Sequence, residues 1–146
     1  MSDEELAPAM PSDQELRSIL GEAKTIAVVG LSSKPHRDSY EVSEWLQSKG
    51  YRIIPVNPNE TEVLGEKAYP SLIDVPEKID VVDVFRRAEY TPEVAEQAVK
   101  IGARVLWLQD GIVNEDAWRI ATDGGIDVVM GVCIRRTKNR LEREVS

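Results

Sequence analysis

Cysteine, histidine and phenylalanine each occur only once in the 146 residues. One cysteine excludes an internal disulfide and every multi-cysteine zinc or iron–sulfur site. One histidine removes most other metal-site and triad designs, and no metal is expected. Basic residues are in deficit: 18 Lys+Arg stand against 26 Asp+Glu, a net charge of −8. A general nucleic-acid binder needs a basic footprint to neutralise phosphates, and an anionic membrane surface asks for the same. Neither is expected as a partner. No apolar run approaches the ~18–20 residues that span a bilayer. The first eleven residues lack the basic and apolar regions of a signal peptide, so a cytoplasmic protein is expected.

What is present suits one compact α/β unit. Apolar residues make up 42% of the chain, enough for a proper core. Chains of this length bury roughly 68–70% of their unfolded surface. Charge is uneven along the sequence. Residues 1–11, with Pro8 and Pro11, read as a loose acidic lead. Residues 12–141 read as the single domain. The chain turns basic from Arg135 onwards, and its end, residues 142–146 included, reads as a solvated tail.

Five short apolar runs recur: residues 26–29, 53–56, 81–85, 105–108 and 126–130. Such β-branched runs suit strands covered on both faces, as in parallel sheets. Helical signals lie between them. Ser12 to Glu15 is a capping box, with Gly21 as the stop. Asp38 is the expected cap of a second helix that ends at Gly50. Thr91-Pro92 places a cap and a first-turn proline before a third, ended by Gly102. Asn114 is the expected cap of a fourth, stopped by Gly124-Gly125. Residues 61–76 are less regular, with a short strand expected near 67–69 and a helical turn after Ser71. Strand–helix alternation with short loops predicts a three-layer, doubly wound, Rossmann-like parallel sheet in one domain.

In that fold ligands sit beyond the carboxyl ends of the strands, where strand order reverses. The first strand is followed by Gly30-Leu31-Ser32-Ser33-Lys34-Pro35-His36-Arg37. Gly30 allows a sharp turn, and free amides before a helix suit a phosphate. Ser32 and Ser33 add hydroxyls, and Lys34 and Arg37 add charge. The dinucleotide fingerprint is absent: only Gly30 of G-x-G-x-x-G is present, and Val56-Asn57-Pro58 stands where an acidic residue would hold a ribose diol. Asn57 can contact a sugar or base. After the third run, Phe85 can pack on a base and Arg86 can grip phosphate, or Phe85 is core and Arg86 and Arg87 are solvated. Adjacent side chains of an extended segment point opposite ways, so Arg86 and Arg87 are not expected to matter equally. Gln109-Asp110-Gly111 after the fourth run suits a close ligand or is a plain turn. Cys133 follows the fifth run, with Arg135 and Arg136 close behind. Cations clustered at strand ends of an acidic chain point to a small polyanionic ligand.

Several of these strings resemble one family: Ile26-Ala27-Val28-Val29-Gly30-Leu31-Ser32, Gly50-Tyr51-Arg52-Ile53-Ile54-Pro55-Val56-Asn57-Pro58, Tyr69-Pro70-Ser71-Leu72, Asp80-Val81-Val82-Asp83-Val84-Phe85-Arg86 and Trp107-Leu108-Gln109-Asp110-Gly111. The chain resembles the small single-domain CoA-binding proteins, whose domain is similar to the N-terminal CoA-binding domain of succinyl-CoA synthetase α subunits. The resemblance implies coenzyme A, or an acyl-CoA, as the ligand. It implies residues 30–37 as the phosphate loop, and Val56, Asn57, Pro58, Phe85 and Arg86 as the nucleotide-side wall. Members commonly have a cysteine at the place of Cys133. They often carry an Asp-Arg pair just before it, where this chain has Gly131-Val132. CoA is phosphorylated at the ribose 3′ position, so the missing acidic clamp after strand two is expected.

No nucleophile–base pair stands out. His36 has only Asp38 as a possible orienter. Cys133 either meets the CoA thiol, with Arg135 and Arg136 favouring its thiolate, or fills a small gap in the core. No independent catalytic activity is expected. The alternative is an NADP-linked or other nucleotide-dependent enzyme of the Rossmann type.

Overall fold

A computed structural model describes residues 10–145. The elements follow in order: α1 (Asp13–Glu22), β1 (Thr25–Val29), α2 (Asp38–Ser48), β2 (Arg52–Val56), β3 (Glu62–Val63), β4 (Glu66–Lys67), β5 (Val81–Val84), α3 (Thr91–Lys100), β6 (Val105–Asp110), α4 (Glu115–Asp123), β7 (Asp127–Gly131) and α5 (Ile134–Val145). Short 3-10 turns cover Leu72–Asp74 and Ala88–Tyr90.

The five apolar runs pair into one parallel sheet of order β2-β1-β5-β6-β7. Strand order reverses between β1 and β5, which is where a ligand crevice opens. Alternate side chains feed two cores. Ile26, Val28, Ile53, Val81, Trp107 and Val129 face α1, α2 and α5. Ala27, Val29, Ile54, Val56, Val82, Leu106 and Leu108 face α3 and α4. The expected three layers are therefore present. The small ribbon of β3 and β4 is antiparallel, and Tyr69 bridges to Val56 at the sheet edge.

Local signals hold with three shifts of detail, the first being that α1 runs through Gly21, its expected stop, to Glu22, with Ala23 as the C-cap. Ser12 and Glu15 form the expected capping box, and the Asn114 side chain accepts from the Ala117 amide. Asp38 is not a cap. Arg37 is the N-cap of α2 without a side-chain bond, and Asp38 is the first helical residue. There its charge, with that of Glu41, opposes the positive end of the helix dipole. Thr91 also lies inside its helix. Its hydroxyl donates to the Ala88 carbonyl, because the 3-10 turn at Ala88–Tyr90 already brings the chain into helical geometry.

The basic end is not a solvated tail. Residues 134–145 form α5, with Ile134, Thr137 and Leu141 buried at i, i+3 and i+7. Only Ile134 and Leu141 of that stripe are apolar, and the charges around them hide it from a count of composition. Its charges meet α1, where Arg140 pairs with Asp13 at 3.0 Å and Glu144 with Arg17 at 3.4 Å. Of the acidic lead, residues 1–9 lie outside the described residues.

Candidate functional site

Two recesses open at the carboxyl ends of the strands, one on each side of residues 85–87. The first, of about 410 Å³, is lined by Gly30, Val56, Asn57, Pro58, Phe85 and Arg86, with Tyr90 and Val94 from the α3 side. The second, of about 580 Å³, is lined by Phe85, Arg86, Gln109, Cys133, Arg135 and Arg136, with Val42 and Asp38 from α2. Eight of the fourteen expected site residues therefore line one recess or the other.

The parallel pairing of β1 with β2 on one side and β5 on the other sets this geometry. The Gly30 amide donates to the Val56 carbonyl, and the Phe85 amide to the Val29 carbonyl, both at 2.8 Å. Gly30 has φ +89°, and a Cβ there would stand 2.5 Å from the Phe85 carbonyl oxygen. Only glycine permits both the turn and this approach. Phe85 follows the last residue of β5 and is half-buried between the recesses.

Arg86 and Arg87 both line both recesses, contrary to the expected opposite directions. The strand ends at Val84, so strict alternation no longer applies at 86 and 87. They differ in their partners. The Arg86 guanidinium lies 4.6 Å from the centre of the Tyr90 ring, whereas Arg87 is 82% exposed and 3.9 Å from Glu89. On the far side, Arg135 stacks on Trp45 at 5.2 Å and Arg136 pairs with Asp110 at 2.7 Å.

The remaining expected residues, Leu31, Ser32, Ser33, Lys34, Arg37 and Gly111, line neither recess. Leu31 is fully buried and belongs to the core under α2, so only its backbone faces the turn. Lys34 and Arg37 are exposed and make no ion pair among the described residues. The loop amides are not free as expected. Those of Ser32, Ser33 and Lys34 donate to Ser39 Oγ, a Glu60 carboxylate oxygen and Ser32 Oγ. Backbone donors rarely stay unpaired, and hydroxyls and a carboxylate lie within reach. Gly111, at φ +77°, turns the chain out of β6. The Asn57 amide group is also engaged, donating to the Leu31 carbonyl at 3.0 Å and accepting from the Asn59 amide at 2.9 Å.

Sequence reasoning passed over Asp83. It lies in the middle of β5, fully buried, where a core residue was expected. The Gln109 side-chain amide donates to one of its oxygens, and the other has no partner among the described residues. Burial pushes this carboxyl up to about 7, against the opposing effect of the Gln109 bond. A lone aspartate inside a Val-rich run was the available signal. Cys133 is buried yet lines the second recess, so the two alternatives for it are not exclusive in space.

A doubly wound sheet with a cationic crevice at its reversal of strand order defines a binder of a nucleotide-like anion. Residues 24–137 match a family described as the CoA binding domain, and the chain belongs to that family. It is 48% identical over 125 residues to the uncharacterized protein YneT of Bacillus subtilis, covering 86% of this chain and 93% of that protein. It superposes on a hypothetical protein from Pyrococcus horikoshii with a TM-score of 0.88 at 42% identity, covering 93% of this chain and 98% of that one. It is also 33% identical over 89 residues to subunit alpha of acetate–CoA ligase [ADP-forming] I from Pyrococcus furiosus, which is 57% of this chain but only 19% of that subunit. The domain is thus a CoA-binding domain related to ADP-forming acetate–CoA ligases, of which it spans about a fifth or less.

Proposed function

We propose that the chain binds CoA or an acyl-CoA across the two recesses, as a binding module without chemistry of its own. The observation that carries this is the set of arginines at the carboxyl edge, Arg86, Arg87, Arg135 and Arg136, in a chain of net charge −8. Gly30, Val56, Asn57, Pro58, Phe85 and Arg86 form the nucleotide side in this reading, and the turn with Leu31, Ser32, Ser33, Lys34 and Arg37 holds phosphate. Gln109, Gly111 and Cys133 border the path of the pantetheine arm. The missing acidic clamp after β2 supports CoA over NAD, because CoA carries a 3′-phosphate where NAD offers a diol. Service to a partner ligase and a cytoplasmic location complete the proposal. Among the described residues no helix is long and apolar enough to cross a membrane.

Calorimetry with CoA, 3′-dephospho-CoA and NAD tests it. CoA binds more tightly than NAD, and loss of the 3′-phosphate weakens binding. Arg86→Ala is expected to weaken CoA about tenfold, an exposed charge-assisted bond's worth, with the fold intact. Tighter binding of NAD than of CoA would overturn the reading.

A further inference from the structure

The bond between Ser33 and Glu60 crosses from one strand-end loop to another. The Ser33 amide, in the turn after β1, donates to a Glu60 carboxylate oxygen at 2.5 Å. The amides on either side of it are satisfied by hydroxyls, Ser32 by Ser39 Oγ at 3.0 Å and Lys34 by Ser32 Oγ at 3.1 Å. Ser33 alone in this stretch is served by a charged group from elsewhere in the chain. Glu60 forms no ion pair among the described residues, although Lys34 and Arg37 are exposed on the same turn.

The turn that delivers Glu60 is built around Asn57. The Asn57 side chain donates to the Leu31 carbonyl and accepts from the Asn59 amide, and the Glu60 amide donates to the Asn57 carbonyl at 3.3 Å. These bonds do not involve the Glu60 side chain. The carboxylate can therefore leave Ser33 by side-chain rotation, with the backbone of both loops in place. A carboxylate also resembles a phosphate oxygen to an amide donor: both are anionic acceptors favoured at such turns.

We infer that Glu60 is a specificity-determining residue of this turn. Its carboxylate takes the place of a ligand phosphate on the Ser33 amide, and only an anionic part of the ligand exchanges with it. The inference rests on the CoA reading above and adds to it. A neutral group cannot replace a charge-assisted bond without loss. A phosphate replaces it and gains Lys34 and Arg37 as well. Glu60 thus directs the phosphates of CoA, and not its neutral pantetheine arm, to the turn, at some expense of affinity.

The test compares the whole chain with its Glu60→Gln and Glu62→Gln variants. Glu62 is exposed on β3, and its side chain makes no hydrogen bond or ion pair among the described residues, so its variant gives the same change of net charge without touching the turn. Glu60→Gln is expected to bind CoA about three- to tenfold more tightly, the margin by which a charged acceptor outcompetes a neutral one at an exposed site. Glu62→Gln should change affinity by less than about twofold, as for a screened surface charge. In the amide NMR spectrum, the Ser33 resonance moves on Glu60→Gln and on saturation of the wild type with CoA. Pantetheine at the same concentration leaves it in place. Unchanged or weaker CoA binding by Glu60→Gln, an equal gain from Glu62→Gln, or a Ser33 shift with pantetheine would each overturn the inference while CoA binding itself stands. If no variant binds CoA, the functional reading falls and takes this inference with it.

Discussion

Gly30 and Asp83 are both tightly constrained positions near the site, for opposite reasons. At Gly30 the constraint is steric: positive φ and the Phe85 carbonyl leave no room for a side chain. A left-handed backbone costs an L residue roughly 1–2 kcal/mol before any clash. Gly30→Ala should therefore lose at least about 2 kcal/mol in urea unfolding and lower CoA affinity, since the ends of β1 and β5 border the first recess. A wild-type urea midpoint would refute this. At Asp83 the constraint is electrostatic. Its carboxyl is raised from 3.8 to about 7 in the fold. Its contribution is thus complete below pH 3.8 and is lost as the pH climbs to about 7. Asp83→Asn removes that slope. Urea midpoints at pH 5 and pH 8 should show the variant gaining on the wild type by about 1–3 kcal/mol at the higher pH, the usual cost of a buried group left unsatisfied. An identical pH dependence in the two proteins would contradict the assignment.

Helix starts show how far local chemistry carries at the scale of elements. Ser12 with Glu15, and Asn114, cap as their residue types dictate. Thr91 falls one position inside its helix because the 3-10 turn before it already has helical geometry, whereas Asp38 follows an extended Arg37 that holds the cap position without a side-chain bond. α5 is the element that composition conceals. Its ion pairs to α1 are exposed and screened, so its attachment depends on Ile134 and Leu141. Leu141 is 4% exposed in the cluster shared by α1, α2 and α5. Leu141→Ala should cost about 2–4 kcal/mol, the range for a buried leucine truncated in a packed core. Thermal unfolding checks this, and a solvated tail would show no change.

Net charge and local charge have opposite signs, and that contrast belongs to the whole molecule. The chain carries −8, yet the second recess is lined by four arginines and two aspartates. An anion is therefore repelled at long range and attracted at the carboxyl edge. Salt screens both effects, but the close contacts dominate once the ligand is bound. Saturating CoA, at about 100 times its Kd, stabilises the native state by about 2.7 kcal/mol. For a domain of this size that raises the Tm by roughly 5–10 °C. The same concentration of NAD should give a clearly smaller shift. Equal shifts would remove the distinction on which the functional reading depends.

The five strands of the main sheet, four of the helices and the layer order were readable in the sequence, because apolar period and cap chemistry act over a few residues, whereas β3 was not. So were Gly30, Val56, Phe85, Gln109 and Cys133 as strand-end positions, since a parallel sheet sends every carboxyl end to one edge. The tertiary structure alone decided what each side chain meets there. It placed Leu31 in the core, brought Arg87 beside Arg86 where β5 stops, and left Asp83 with one partner for two oxygens. It also brought Glu60 across 27 residues to Ser33. Such pairings depend on where two separate loops end in space, and no short-range pattern of residues encodes that distance.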